Sequence, residues 1–267
     1  MNDFNKPHLS ASSISTFLDC SLKYRFSKID KFPFEQRSDA MEFGTAIHKV
    51  LADFYQSKIL GNKLSCKEMH TLFESYWSKA AEDAEDIQYK KGLDYQSYIL
   101  TGKELLTTYY NNLPEDDFQT LSIEDRFSLH LDELEVPVVG ITDLVEMDQD
   151  ETSILVTDWK TSGKAYSNAD IDQSFQLTIY YMAIKRMYPD KEIILKFDTL
   201  IKTKVPKFEQ YFSIRTEEDE QRAIKKICAV WEGIKKGIFI PNDQSWKCGA
   251  GCEFKSYCDK WFKGEIS

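Results

Sequence analysis

No apolar run in the 267 residues approaches the roughly 20 needed to cross a bilayer as a helix, so no membrane span is expected. The opening stretch MNDFNKPHLSASS has no basic segment followed by an apolar one, so no signal peptide is expected and the chain reads as cytoplasmic. Internal repeats and low-complexity tracts are lacking, which leaves a folded globular protein rather than a solenoid or a tail. Positive charge is in deficit: 34 Lys and Arg against 44 Asp and Glu give a net charge of −10. That excludes a surface coated with non-specific phosphate-binding cations, although a local basic lining can sit within an acidic exterior. Histidine is scarce, with four in the chain, so each one invites a reason.

What is present is ordinary for a globular protein: 42% hydrophobic and 29% charged residues. The 17 Phe, 14 Tyr and 5 Trp weigh against disorder. Periodicity places helices first, over LSASSISTFLDCSLKYRFSKI and then near 39–60, 66–86 and 95–112. From Leu121 the period becomes two, and LSIEDRFSLHL, VPVVGITDLVEM and TSILVTDWK read as successive strands. A helix near 170–188, two strands (EIILKFDTLIK and FEQYFSI) and a helix near 216–236 follow. One domain over 1–267 is the simplest reading: a helical part at about 8–112, a core at about 120–215, and a C-terminal helix with a cysteine motif at about 216–262.

The segment SILVTDWKTSGK sets Asp158 and Lys160 on the same strand face as Ile154 and Val156. On the preceding strand Asp143 shares a face with Val139, Ile141 and Val145. Unpaired charge in a buried row is costly, so two acids at matching strand ends point to a function. Carboxylates held together repel unless a cation lies between them, and hard oxygen donors suit Mg²⁺ or Mn²⁺. A lysine beside them can orient water or stabilise charge on a phosphoryl group. The plainer reading of Asp158 and Lys160 is a salt bridge at a strand end, and of His48 a packed helix histidine.

Gly140-Ile-Thr-Asp143 followed by Asp158-Trp-Lys160 resembles the motif of the PD-(D/E)XK nuclease superfamily, with Asp in place of the commoner Glu at the second position. FGTAIHKVL, with His48, and QLTIYY, with Gln176 and Tyr180, resemble further motifs of its RecB-like branch, which includes AddB-type subunits and CRISPR-associated adaptation nucleases. The resemblance implies an α/β fold: a restriction-endonuclease-like mixed β-sheet core flanked by helices, with a helical N-terminal elaboration and a C-terminal cysteine cluster. It implies that His48, Asp143, Asp158 and the carbonyl of Trp159 hold Mg²⁺ or Mn²⁺, that Lys160 orients the attacking water, and that Gln176 and Tyr180 support the site or touch DNA. Glu124 is a lesser candidate.

Cys248, Cys252 and Cys258 crowd into WKCGAGCEFKSYC, and in a reducing compartment clustered thiols are more often metal ligands than disulfides. By the resemblance Cys20 is a fourth ligand and the cofactor a 4Fe–4S cluster. The Cys-x3-Cys spacing departs from the commoner Cys-x2-Cys, and a four-cysteine zinc site is the alternative. Cys66 and Cys228 read as packed or free thiols. The expected activity is a metal-dependent DNA nuclease, a single-strand exonuclease in recombination, repair or CRISPR adaptation, with a helicase or adaptation proteins as partners. Lys23-Tyr24-Arg25-Phe26 and Tyr89-Lys90-Lys91 are segments that could stack bases and meet phosphates, or simply solvated helix faces. The competing class is a non-catalytic iron–sulfur DNA-binding module that partners a helicase.

Overall fold

The computed structural model describes residues 3–34, 37–83, 87–115, 117–245, 248 and 251–266. The end of the expected 66–86 helix and Trp246, Lys247, Gly249 and Ala250 of the cysteine motif lie outside these residues. In chain order the strands are β1 (Leu9–Ser10), β2 (Arg37–Ser38), β3 (Ile87–Gln88), β4 (Gln119–Leu129), β5 (Val138–Met147), β6 (Ser153–Ser162), β7 (Glu192–Ile201) and β8 (Lys207–Ser213). The helices are α1 (Ala11–Asp19), α2 (Ser21–Tyr24), α3 (Asp39–Ile59), α4 (Cys66–Asp83), α5 (Tyr95–Asn112), α6 (Asn168–Asp172), α7 (Phe175–Met187), α8 (Glu217–Lys235) and α9 (Lys255–Phe262). Among the described residues no helix is long and apolar enough to cross a membrane.

The strands build a six-stranded mixed sheet in the order β1-β5-β6-β7-β8, with β4 also paired to β5. β6 lies parallel to β7 and antiparallel to β5, so it is interior to the sheet. Ile154 through Trp159 are all buried, which explains why this strand reads as an apolar run interrupted only by Thr157 and Asp158. The mixed sheet flanked by helices is the restriction-endonuclease-like arrangement expected.

Two expected helices are each broken in two. At Cys20 the backbone turns extended (φ −155°, ψ 104°), ending α1 and starting α2. Between α6 and α7, Ser174 takes an extended conformation and its hydroxyl accepts from Leu177 N–H, a fresh helix start. The remaining boundaries follow their caps: Asp94 caps α5, and Thr216 with Asp219 forms a capping box for α8.

The chain divides into two compact units, 37–127 with 141–215, and 1–36 with 128–140 and 216–267. In the first, α3, α4 and α5 supply Phe43, Phe54, Phe73, Trp77 and Tyr109 to a core that includes Leu144, Trp159 and Leu200 of the sheet. α4 and α5 approach closely at Gly102, where a Cβ would run into the fully buried ring of Phe73. Gly102→Ala is therefore expected to cost about 1–3 kcal/mol through overpacking, a drop of several degrees in Tm, roughly 2–4 °C per kcal/mol, in a thermal melt. An unchanged melt would mean that Phe73 turns aside freely. In the second unit Leu22, Phe26 and Phe254 form a small core against Phe32, Phe239, Tyr257 and Trp261.

Candidate active site

β5 and β6 pair with Leu144 opposite Thr157 and Val145 opposite Val156. One more step in that register sets Asp143 against Asp158, so both carboxylates leave the same face. There the backbone ladder gives way to a side chain: Asp143 Oδ2 accepts the Trp159 N–H at 2.8 Å. This fixes Asp143 to the peptide that precedes Lys160. From α3, His48 brings Nδ1 to 3.5 Å from Asp143 Oδ1, with its ring edge-on to Trp159. The close approach of α3 to β6 passes through Gly44, where a Cβ would stand 3.4 Å from Thr161 Oγ1. Trp159 in turn stacks on Tyr55, whose hydroxyl meets that of Tyr109 at 3.0 Å.

Asp158 is 1% exposed. Its Oδ2 pairs with Lys160 Nζ, and its Oδ1 accepts from Gln176 Nε2 at 3.0 Å. Gln176 Oε1 accepts from Lys160 Nζ at 3.0 Å. The orientation of this amide is dictated by its partners, since a carboxylate can only accept and an ammonium can only donate. Gln176 Nε2 also donates to Tyr180 Oη at 2.7 Å, and Tyr180 Oη donates to the Ile141 carbonyl at 2.7 Å. Gln176 and Tyr180, four residues apart on α7, thus tie Asp158 and Lys160 of β6 to β5.

The charges are strongly perturbed. Burial pushes the Asp158 carboxyl up to about 6, the Lys160 charge offsets this, and the Asp143 carboxylate adds to it. For His48 burial is the largest influence and favours the neutral ring, but the hydrogen bond and charge of Asp143, with the charge of Asp158, outweigh it, so the net shift is upward. Lys160 is also pulled down first by burial, then raised past its ordinary value by Asp158. Burial raises the Tyr180 phenol, which stays a neutral donor.

The donor set of two carboxylates, an imidazole and the Trp159 carbonyl has the chemistry of a hard divalent-cation site. Burial disfavours the Asp158 charge despite the Lys160 ammonium, a cost that a dication bound there would relieve. Among the described residues no three His, Cys, Asp or Glu side chains form a closed ligand set as they stand. His48 adjoins Asp143, while Lys160 and Gln176 engage Asp158.

His48 and Asp143 face a groove that Met41, Lys49, Glu124, Arg126 and Ile141 also line. Ile141, expected in an apolar row, is 41% exposed because its strand face opens onto this groove. Glu124 has φ +46°, strain of about 1 kcal/mol or more for a residue other than glycine, and its carboxyl is raised by burial and then by Asp143. Lys49 and Arg126 went unremarked in the sequence; their only signal was adjacency to His48 and Glu124. Tyr24 and Phe26 are buried, so they cannot stack bases, and Tyr89 packs against Trp77 and Tyr98. Lys23 and Arg25 pair with Glu253 and Asp30.

In the other unit Cys20, Cys248, Cys252 and Cys258 line one pocket beside Leu22, Phe26 and Phe254, and all are free thiols. Burial raises the Cys252 and Cys258 thiols, and Cys258 also feels Cys20, Cys248 and Cys252. The cysteines separated by 228 residues in sequence thus share one place, a donor set suited to a soft or borderline metal.

Gln176→Ala is expected to lower any turnover at this site about 10–100-fold, as loss of a supporting hydrogen-bond partner does at such sites, with little change in KM. Steady-state kinetics check this; a change confined to KM would make Gln176 a substrate contact instead.

A family model described as the PD-(D/E)XK nuclease superfamily matches residues 8–259. No curated protein matches the sequence. Among solved structures the chain is similar to a candidate exonuclease from Eubacterium rectale, at 12% identity over 94% of this chain and 90% of that one, with a TM-score of 0.54. The crystal structure of SSO0001 aligns over 92% of this chain and 93% of that one at 13% identity, with a TM-score of 0.38.

Proposed function

The chain belongs to the PD-(D/E)XK nuclease superfamily, and on that premise we propose that it is a Mg²⁺- or Mn²⁺-dependent deoxyribonuclease of the RecB-like branch that degrades single-stranded DNA from an end. The observation that carries the reading is the meeting of Asp143, Asp158 and Lys160 on one face of β5 and β6, with His48 against Asp143. His48, Asp143, Asp158 and the Trp159 carbonyl would hold the divalent ion. Bound there, the ion supplies charge neutralisation and a more acidic water.

The protein's own groups do the rest. Asp143 is positioned by the Trp159 N–H, so its free oxygen faces His48. Lys160 holds a positive charge beside the scissile phosphate and can give a hydrogen bond to the attacking water. Gln176 keeps Lys160 and Asp158 at fixed separation, and Tyr180 anchors Gln176 to β5. Lys49 and Arg126 meet phosphates, while exposed Met41 (55%) and Ile141 (41%) offer apolar surface to unpaired bases. That pairing of cations with apolar side chains favours a single strand over a duplex. Cys20, Cys248, Cys252 and Cys258 would hold a 4Fe–4S cluster, with zinc as the alternative. Recombination, repair or CRISPR adaptation, alongside a helicase or adaptation proteins, is the setting this activity fits.

The test uses end-labelled linear single strands, the matching duplex and a circular single strand, each with Mn²⁺ and with EDTA. Loss of the linear strand alone, abolished by EDTA, is the expected result. Cleavage of the circle would replace the exonuclease reading with an endonuclease, and activity in EDTA would remove the metal.

A further inference from the structure

A second pocket lies in the unit that carries the cysteines and shares no lining residue with theirs. Lys6, His8, Lys28 and Lys31 line it with Phe4, Tyr24 and Trp231, and among the described residues no Asp or Glu does. In a chain with 34 Lys and Arg against 44 Asp and Glu, a pocket lined by positive charge alone concentrates a local field that favours anions. The nearby acids are engaged elsewhere. Asp30 pairs with Arg25 at 3.1 Å, and Asp3, the partner of Lys6, also accepts from Ser128 Oγ at 2.8 Å and meets His130 Nε2 at 3.1 Å. Lys28 and Lys31 have no carboxylate at ion-pair distance among the described residues.

The backbone carries these two lysines in uncommon ways. Lys28 sits on a π turn, Arg25–Ile29, closed by the Asp30 N–H donating to the Arg25 carbonyl at 2.9 Å. Such turns are rare and gather at functional sites. Lys31, with φ +54°, occupies the left-handed region that residues other than glycine seldom adopt. The pocket also holds a polar group that the fold leaves over. Tyr24 is 6% exposed, its ring stands edge-on to Phe17, and its hydroxyl has no partner among the described residues. Burial raises the phenol, so it keeps its hydrogen and stays a donor. A buried hydroxyl of this kind needs a partner that the chain does not supply.

We propose that this pocket binds a nucleoside monophosphate, with Lys28, Lys31 and the Tyr24 hydroxyl meeting the phosphate and the half-buried rings of Phe4 and Trp231 meeting the base. Two unpaired ammoniums match the charge of a phosphate monoester, which carries close to two negative charges at neutral pH. Hydrogen bonds from charged donors give the phosphate its affinity, and the aromatic faces add a stacking surface that a bare anion cannot use. A free mononucleotide and the phosphorylated end of a strand present the same chemistry. Binding here draws on none of the residues proposed to hold metal or to cut, so it stands or falls apart from the nuclease reading.

Full-length protein in EDTA is titrated calorimetrically with 5′-dAMP, deoxyadenosine and inorganic phosphate. 5′-dAMP should bind saturably and at least about tenfold more tightly than either fragment, each of which lacks one half of the contacts. Lys28→Gln combined with Lys31→Gln should weaken it by about tenfold or more. Lys31→Gly should also weaken it while melting close to wild type, because glycine takes φ +54° without strain, so lost binding is not lost fold. Quenching of tryptophan fluorescence by 5′-dAMP should vanish in Trp231→Phe and persist in Asp158→Asn. A 5′-phosphorylated oligodeoxyadenylate that displaces 5′-dAMP where its 5′-hydroxyl counterpart does not identifies a strand end as the source, and displacement by neither identifies the free nucleotide. No saturable binding, equal affinity for inorganic phosphate, displacement by both oligomers alike, or wild-type affinity in the double variant overturns the proposal.

Discussion

Alanine at Lys160 is expected to lower nuclease turnover by about 10²–10³-fold, the scale for losing one preorganised stabiliser of transition-state charge, while strand binding changes little. Binding is expected to persist because Lys49 and Arg126 line the groove independently of Lys160. The same substitution has a second consequence in the absence of metal. Lys160 is the cation paired with Asp158, whose side chain is 2% exposed while that of Lys160 is 24% exposed. Removing it leaves a buried carboxylate with Gln176 as its neutral partner, a loss of up to about 3 kcal/mol, below the full value for a buried pair because the ammonium is partly solvated. Lys160→Ala should thus melt earlier than wild type in EDTA. Asp158→Asn behaves oppositely: it removes the buried charge along with activity, so its melt in EDTA should fall less. Activity measured with Mn²⁺ and melts in EDTA check both arms. Near-wild-type turnover in Lys160→Ala would remove the chemistry assigned to this residue, and equal melts for the two variants would show that the ion pair contributes nothing to the fold.

Much of this arrangement was written into local pattern. Alternation put Asp143 and Asp158 in the apolar rows of adjacent strands, and the observed register ends one step short of that pair, at Leu144 and Thr157. The i, i+4 spacing of Gln176 and Tyr180 put them on one helical face, and they do act together. The partners they chose were not legible. That Gln176 bridges Lys160 and Asp158, or that Tyr180 reaches the Ile141 carbonyl, depends on how α7 lies against β5 and β6, which no spacing encodes. The break at Cys20 was hidden as well, because Ser21 and Leu22 continue the helical pattern across it. Lys196 and Asp198, buried at 3% and 0% exposure, drew no notice within the strand EIILKFDTLIK. Their burial arises because β7 lies between β6 and β8, a topological fact rather than a local one.

On the proposed metal-bound reading of the cysteine pocket, serine at Cys252 is expected to abolish metal binding there and lower the melting temperature by roughly 6–12 °C, a loss of about 3 kcal/mol at 2–4 °C per kcal/mol. The thiols of Cys252 and Cys258 are pushed up by burial, so without a metal they remain neutral and contribute only their packing against Leu22, Phe26 and Phe254. A metal reverses this: it deprotonates them, and its binding energy becomes folding energy. The effect should be large in this unit because its residues come from three separate stretches of chain, 1–36, 128–140 and 216–267. Its apolar core is small, centred on Leu22, Phe26 and Phe254 with Phe32 stacked on Tyr257 at 4.4 Å. A core of that size gains much from a four-way crosslink of the proposed kind. Protein prepared anaerobically should be brown with iron and acid-labile sulfide in equal amounts, and Cys252→Ser should lose both colour and metal. Colourless protein carrying zinc would replace the cluster with a tetrahedral zinc site. A Cys252→Ser variant with unchanged melting and metal content would show that these cysteines hold neither, leaving the pocket a packed cluster of thiols.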